Sequence, residues 1–502
     1  MKKKTFKHQL TTVCLVAFSI FLVNPTSILA SNPPTDNEIT NAVNRQLMLN
    51  STTPFHLIDV ETNEGIVTLS GSVDNLLAKD RSIKVARMVR GVRAVIDKIE
   101  VDPPLRSDAT LEREVKAALI NDPATESYKI TVDVNNGEAT LSGTLDSWQE
   151  KQISGFVAKS VEGIKAIHNK IDVEYETERS DHEIKQDIKQ SMKYDIRLDH
   201  ALIDVEVDHG HVILSGTVGS ASEKQMAFAD AWVSGVHSVD IDDLEVKDWA
   251  RNEDMRKGKY ASKSDQGIKN AVKDAFLYDP RVLSFKPEVS VDNGYVTLSG
   301  TVNNLQAKRA AEKDARNVVG VLGVNNNLKV RPINIPEDSQ LQEDIRKKLS
   351  EHPFVDREQI DVTAYNGIIY LNGKVDSYLE KSQAGAIAAK TKGVVDVEND
   401  LDVKTGDGYD YYYYYGWNSY YPPMYDIKVH PVKKSDSEIK NDIQRQLWWS
   451  PYVNEDDIDV SVSNGNVVLE GTVDTRKEKQ FAEINAIEGG ARDVDNNIIV
   501  LY

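Results

Sequence analysis

Apolar and polar residues alternate along this chain with two different periods, and the same succession of periods returns six times. Each round opens with apolar residues four apart: Ile39, Val43 and Leu47; Leu111, Val115 and Leu119; Ile184, Ile188 and Met192; Ile268, Val272 and Phe276; Leu341, Ile345 and Leu349; Ile439, Ile443 and Leu447. Residues four apart share one side of a helix, so each set predicts an amphipathic helix of about three turns. Ser180, Ser264 and Ser435 stand where N-caps belong, with acidic residues behind them that suit the helix dipole. A period of two follows, as in Val132 and Val134, Val205 and Val207, Val289 and Val291, and Val460 and Val462. That alternation predicts a half-buried strand.

Glycine then punctuates every round. Gly65, Gly137, Gly210, Gly294, Gly367 and Gly465 each follow Asn, Glu or His, and six residues on come Gly71, Gly143, Gly216, Gly300, Gly373 and Gly471. Asn-Gly between two alternating runs signals a tight hairpin, because both central turn residues need positive φ. The second glycine reads as a point inside the second strand where backbone or helix packs closely. These glycines are scaffold in this reading, not a phosphate cradle. Asp74, Asp146, Asn303, Asp376 and Asp474 are candidate caps of a second helix. Gly91, Gly163, Gly235, Gly320, Gly393 and Gly490 fit the left-handed position just past its end. A final strand, such as 95–101 or 324–330, closes the unit.

The predicted fold class is therefore α+β, a tandem array of six small two-layer αββαβ domains at 36–101, 107–175, 180–246, 264–330, 337–403 and 435–500. The joints at 102–106 and 331–336 are short and proline-bearing, which predicts close, semi-rigid neighbours. Residues 247–263 form a charged linker, either a short extra helix or a plain spacer. The linker 404–434 carries nine of the chain's 20 tyrosines, with Trp417, Pro422 and Pro423. It reads as low-complexity spacing, or as an aromatic surface for glycans, lipid headgroups or partner proteins.

Composition changes this picture at the N-terminus. Lys2, Lys3, Lys4 and Lys7 precede an apolar run at 11–23, shorter than the roughly 20 residues that span a bilayer. Residues 1–30 read as a secretory signal peptide cleaved between Ala30 and Ser31, with a retained anchor as the other reading. The expected location is the periplasm, or outside the cell. The one cysteine, Cys14, lies inside that run, so the mature chain is expected to hold no disulfide, thiolate nucleophile or cysteine metal site. Removing four lysines takes the formal charge from −19 to −23. That charge argues against nucleic-acid binding, and against adsorption of the whole molecule to an anionic membrane, though not against a local basic patch.

No dinucleotide fingerprint, phosphate loop or nucleophile elbow occurs. His209 and His211 flank a turn glycine without further ligands at metal spacing. The expectation is a non-enzyme with no catalytic residue, metal, cofactor or small-molecule substrate.

Charge, by contrast, differs sharply between units. Unit 3 has five basic against fourteen acidic residues, a net −9, and unit 6 has six against fourteen, a net −8. Unit 1 is close to neutral, and Arg81, Lys84, Arg87 and Arg90 recur every three residues on its second helix, with Arg93 just beyond. Lys308, Arg309, Lys313 and Arg316 make a weaker version in unit 4. Such a stripe is either a solvated helix face or a site for anionic lipid headgroups, each basic residue adding about 1 kcal/mol.

The Gly-x-Val-x-Leu-x-Gly-x-Val hairpin, the helix ending in Gly-Val, and the closing Asn327-Leu328-Lys329-Val330, Asp243-Leu244-Glu245-Val246 and Asp400-Leu401-Asp402-Val403 resemble the BON domain, a bacterial envelope module. The resemblance covers all six units. Unit 6 departs from it at Gly489-Gly490-Ala491. It implies an αββαβ fold, a non-enzymatic role, phospholipid binding, periplasmic stress protection and chaperone-like contacts. The expected partners are thus an anionic phospholipid surface or envelope proteins. A soluble chaperone-like stress protein is the alternative, and an adhesive matrix component working through the tyrosines is a third.

Overall fold

The second hairpin strand is the middle of every sheet. In unit 1, Ile58–Asn63 pairs antiparallel with Ile66–Val73, from Ile58 opposite Gly71 to Asn63 opposite Ile66. Ala94–Val101 joins the other side of Ile66–Val73 in parallel. A parallel neighbour cannot be reached by a tight turn, so the second helix, Leu76–Arg87, makes the crossover. All six units repeat this order, although the last strand is broken in units 3, 4 and 6. The computed structural model describes residues 33–502 apart from 50–52, 123, 126, 176, 252–262, 351, 353–354, 376–377, 404–433, 451, 492 and 502. The signal segment, its cleavage point at Ala30 and Ser31, Asp376 and most of the tyrosine-rich linker therefore lie outside the described residues. Among the described residues, no helix is long and apolar enough to cross a membrane.

The first helices are Asp36–Leu49, Asp108–Asn121, Asp181–Tyr194, Asp265–Leu277, Asp338–Ser350 and Asp436–Trp449. Ser180, Ser264 and Ser435 cap them as expected, and Ser180 and Ser435 do so in reciprocal capping boxes with Glu183 and Glu438. The aspartate that opens each helix does more than complement its dipole. Asp181 accepts from the backbone N–H groups of His209 and Gly210 at 2.9 Å each. Asp36, Asp108, Asp265, Asp338 and Asp436 hold their own turns the same way. The turn residues sit at positive φ, 49° at His209 and 74° at Gly210, so their N–H groups point out of the hairpin and need an acceptor. One carboxylate ties the first helix to the hairpin in every unit.

This clamp carries a pH signature in unit 3. The N–H groups of Gly210 and His209 hold the Asp181 carboxyl below its ordinary value of 3.8. A depressed carboxyl stabilises the fold fully above the unfolded value, and that contribution disappears as pH falls through the folded one. Asp181→Ala should therefore lower the melting temperature at pH 7, and the gap from wild type should narrow as the pH falls below 3.8. A gap independent of pH would overturn the clamp.

Two local expectations need correction. The caps of the second helices sit one residue later than Asp74, Asp146, Asn303 and Asp474: Asn75, Ser147, Asn304 and Thr475 accept from the N–H three residues on. Only that position places the side-chain oxygen over the open first turn. The third glycine closes its helix directly only in unit 6, at Gly490 with φ 109°. In units 1, 2 and 4 the helix ends at Arg87, Lys159 and Arg316, and a further turn intervenes before Gly91, Gly163 and Gly320.

Each unit has its own apolar core, and those cores borrow from their neighbours. Ala221 of unit 3 is buried in the core of unit 1, Leu76 of unit 1 in that of unit 2, and Leu305 of unit 4 in that of unit 5. A domain of this size buries only about 60% of its unfolded surface, so shared residues supply stability that a single unit lacks. The described residues from Pro34 onward form one compact unit. At the 247–263 linker the chain makes a short 3-10 helix, Asp248–Arg251, before leaving the described residues.

Candidate functional site

The basic second helix of unit 1 lies among other units. Arg87 Nη1 donates to Gln225 Oε1 of unit 3 at 3.0 Å. Arg90 reaches Asp248 beyond unit 3 at 3.4 Å, and its guanidinium lies 4.6 Å from the ring centre of Trp448 in unit 6. Its backbone N–H donates to Trp449 O at 3.1 Å. On the same helix Asp80 pairs with Lys159 of unit 2 at 2.7 Å. Burial lowers the pKa of Arg81, Lys84 and Arg87; Glu488 of unit 6 partly offsets this at Arg81, while Arg81, Lys313 and Arg197 add to it at Lys84. Arg93 keeps an exposed side chain, and its Nη1 turns back to Glu64 O at 3.1 Å. The five residues of the stripe thus do not share one open surface. In unit 4, Arg309 Nη1 donates to Gly385 O of unit 5 at 3.1 Å, while Arg316 pairs with Glu312 on its own helix.

Other second helices meet in the same manner. Trp148 of unit 2 stacks on Trp232 of unit 3 at 5.0 Å with the rings 6° from parallel, and Phe228 meets both edge-on. Lys390 of unit 5 stands 5.6 Å from the ring of Phe156 in unit 2. Units 3 and 4 join by backbone: Ile196 N–H donates to Asn317 O at 3.0 Å and Val319 N–H to Tyr194 O at 2.8 Å. In the contact of unit 6 with unit 1, Arg45 pairs with Asp442 at 2.9 Å. Asp442 is 6% exposed. Burial pushes its carboxyl up, but Lys434, Arg445 and Arg45 hold it below the usual range. Lys477 of unit 6 lies over Tyr452 and Phe481, and burial with nearby Arg197 brings its pKa down to about 7.

Water meets a different set of side chains. In the first strand of each unit one face is buried and the other exposed. Asp59 and Glu61, Asp133, Asp204 with Glu206 and Asp208, Glu288 and Asp292, Asp361 and Asp459 stand on the exposed face. The hairpin turns are held by the aspartate clamp, and the second glycines lie against backbone except Gly300 of unit 4.

Lys477, Asp442, Trp148 and Trp232 gave no signal in the sequence, since isolated residues acquire these roles only when units meet. The clamp did leave one, an aspartate always 28 residues before the first turn residue.

A family model for the BON domain matches residues 35–103, 107–175, 180–248, 264–332, 337–405 and 435–502. The chain belongs to the BON domain family. It is 32% identical over 141 residues to the osmotically-inducible protein Y of Escherichia coli (strain K12), covering 27% of this chain and 70% of that protein. It is 25% identical over 119 residues to an uncharacterized protein in the gshII 5′ region of Anaplasma centrale, covering 22% of this chain and 79% of that one. Among solved structures, the C-terminal domain of CdsD, the structural protein of the type III secretion system of Chlamydia trachomatis, matches at 16% identity and a TM-score of 0.12, over 47% of this chain and 96% of that one. The six BON units thus meet through aromatic rings and paired charges, and expose carboxylates on their first strands.

Proposed function

We propose that this six-BON protein is a non-enzymatic, exported stress protein of the cell envelope that acts in the periplasm by contacting other proteins during osmotic stress. The carrying observation is where charges fall: Arg87 and Arg90 of unit 1 and Arg309 of unit 4 bond to other units, and the exposed faces of the first strands carry carboxylates. An acidic exterior keeps a protein hydrated and monodisperse and opposes adsorption to anionic lipid. The name of the Escherichia coli relative supports the osmotic setting. Anionic phospholipid is the weaker partner, because Arg87 and Arg90 are committed to Gln225, Asp248 and Trp448.

Deleting the gene should reduce survival after a sudden rise in external osmolarity, and the chain restored with its leader should recover it. The chain without residues 1–30 should suppress aggregation of an unfolding client protein. It should stay in the supernatant with phosphatidylglycerol vesicles at low salt. Sedimentation with the vesicles, lost on raising salt, would instead establish the lipid reading, and equal survival of the deletion strain would remove the stress role.

A further inference from the structure

A cavity of about 480 Å³ lies where units 2, 3 and 4 meet, a size typical of small-molecule sites. One wall holds the stacked Trp148 and Trp232 of units 2 and 3, and Tyr194 and Tyr278 also line it. The charged lining is mostly acidic. Four of its carboxylates face cations: Asp187 pairs with Arg179 at 2.7 Å, Asp195 and Asp230 share Arg197, Asp230 at 3.9 Å, and Asp279 pairs with Arg281. Asp274 and Asp314 of unit 4 differ, with no basic side chain paired to either among the described residues. The Oδ2 atom of Asp314 is shut from solvent beside the Asp279 carboxyl, with which Asp314 shares a hydrogen bond, and the indole Nε1 of Trp232 is shut from solvent with no partner among the described residues.

We propose that this three-unit cavity binds a small organic ammonium cation, held by Asp274 and Asp314 beside the indoles of Trp148 and Trp232. An alkylammonium group suits both features at once, since it neutralises carboxylates and is attracted to aromatic faces. Among the described residues no cluster of three His, Cys, Asp or Glu side chains could hold a bare metal ion, and the excess of carboxylates turns anions away. Burial and a neighbouring aspartate raise the pKa of both carboxyls, Asp187 acting on Asp274 and Asp279 on Asp314, where Arg281 and Lys313 offset the rise only in part. That is the state an entering cation would relieve. Unit 3, at a net −9, adds a field that concentrates cations at the entrance. The chemistry fits a quaternary ammonium compound or a polyamine.

Calorimetric titration of the chain without residues 1–30 separates these sources, with choline in one arm and spermidine in the other, against sodium chloride at matched ionic strength. Saturable one-site binding of either is expected. Asp274→Asn should weaken it at least about tenfold, with an unchanged circular dichroism spectrum because Asp274 holds no partner. Trp232→Phe should weaken it less while keeping the packing. Absence of saturable heat with both cations would overturn the proposal, as would unchanged affinity in Asp274→Asn or binding of a neutral disaccharide in preference to either cation.

Discussion

Gly71→Ala should unfold unit 1 in the full-length chain. At this glycine φ is +123°, and an added Cβ would lie 2.0 Å from the carbonyl oxygen of Leu57. Neither atom can yield, because Leu57 directly precedes the strand that begins at Ile58, and Ile58 pairs with Gly71 itself. The expected loss exceeds about 4 kcal/mol, the range of steric disruption inside a core. Gly300 of unit 4 is the matched control. Its φ is +122°, but an added Cβ meets nothing nearer than Leu328 Cδ2 at 3.8 Å. Gly300→Ala should therefore cost only the backbone strain, about 1–3 kcal/mol. Calorimetry of the two variants reads the difference directly. Because Ala221 and Trp449 pack against the core of unit 1, its loss should also loosen units 3 and 6. Equal destabilisation by the two substitutions would remove the carbonyl contact as the cause.

Arg90→Ala should loosen the contact of unit 6 with unit 1 without unfolding either. The Arg90 side chain is only 12% exposed, between Asp248 and the ring of Trp448. Truncation leaves the half-buried Asp248 with Arg251 at 3.7 Å as its remaining cation, and removes the cation–π contact. Together these should cost about 2–4 kcal/mol at the junction. A low-temperature transition should separate in calorimetry, and the radius of gyration from small-angle scattering should increase. If both stay as in wild type, Arg90 does not hold the junction. Asp248→Ala combined with Arg90→Ala should cost less than the sum of the two, as expected for residues in one network.

Legibility in the sequence followed the range of the interaction. Helices, strands and hairpins were readable because each depends on residues a few positions apart: Ile184, Ile188 and Met192 on one helix side, or Asn293 before Gly294 at a turn. By residue type Asp74 and Asn75 are both competent caps, and only the folded backbone, extended at Asn75 with φ −155° and ψ 155°, selects the second. The basic stripe was visible, but its surroundings were not. A row of arginines suits water and a neighbouring unit equally well, and the partners of Arg87 and Arg90 lie 138 and 158 residues away. Glycine spacing could not reveal the cavity either, since its walls come from three units.

The sequence by itself therefore determined the unit, its six-fold repetition and the place of its glycines, because periodicity and permitted φ are local properties. Only the tertiary structure decided which charges meet water. Arg45 and Asp442 stand 397 residues apart in the chain, and nothing short of the packed units brings such groups together. Packing turned Arg87 and Arg90 of unit 1 and Arg309 of unit 4 toward other units, left carboxylates on the exposed strand faces, and put Asp274 and Asp314 in one cavity lining with stacked tryptophans.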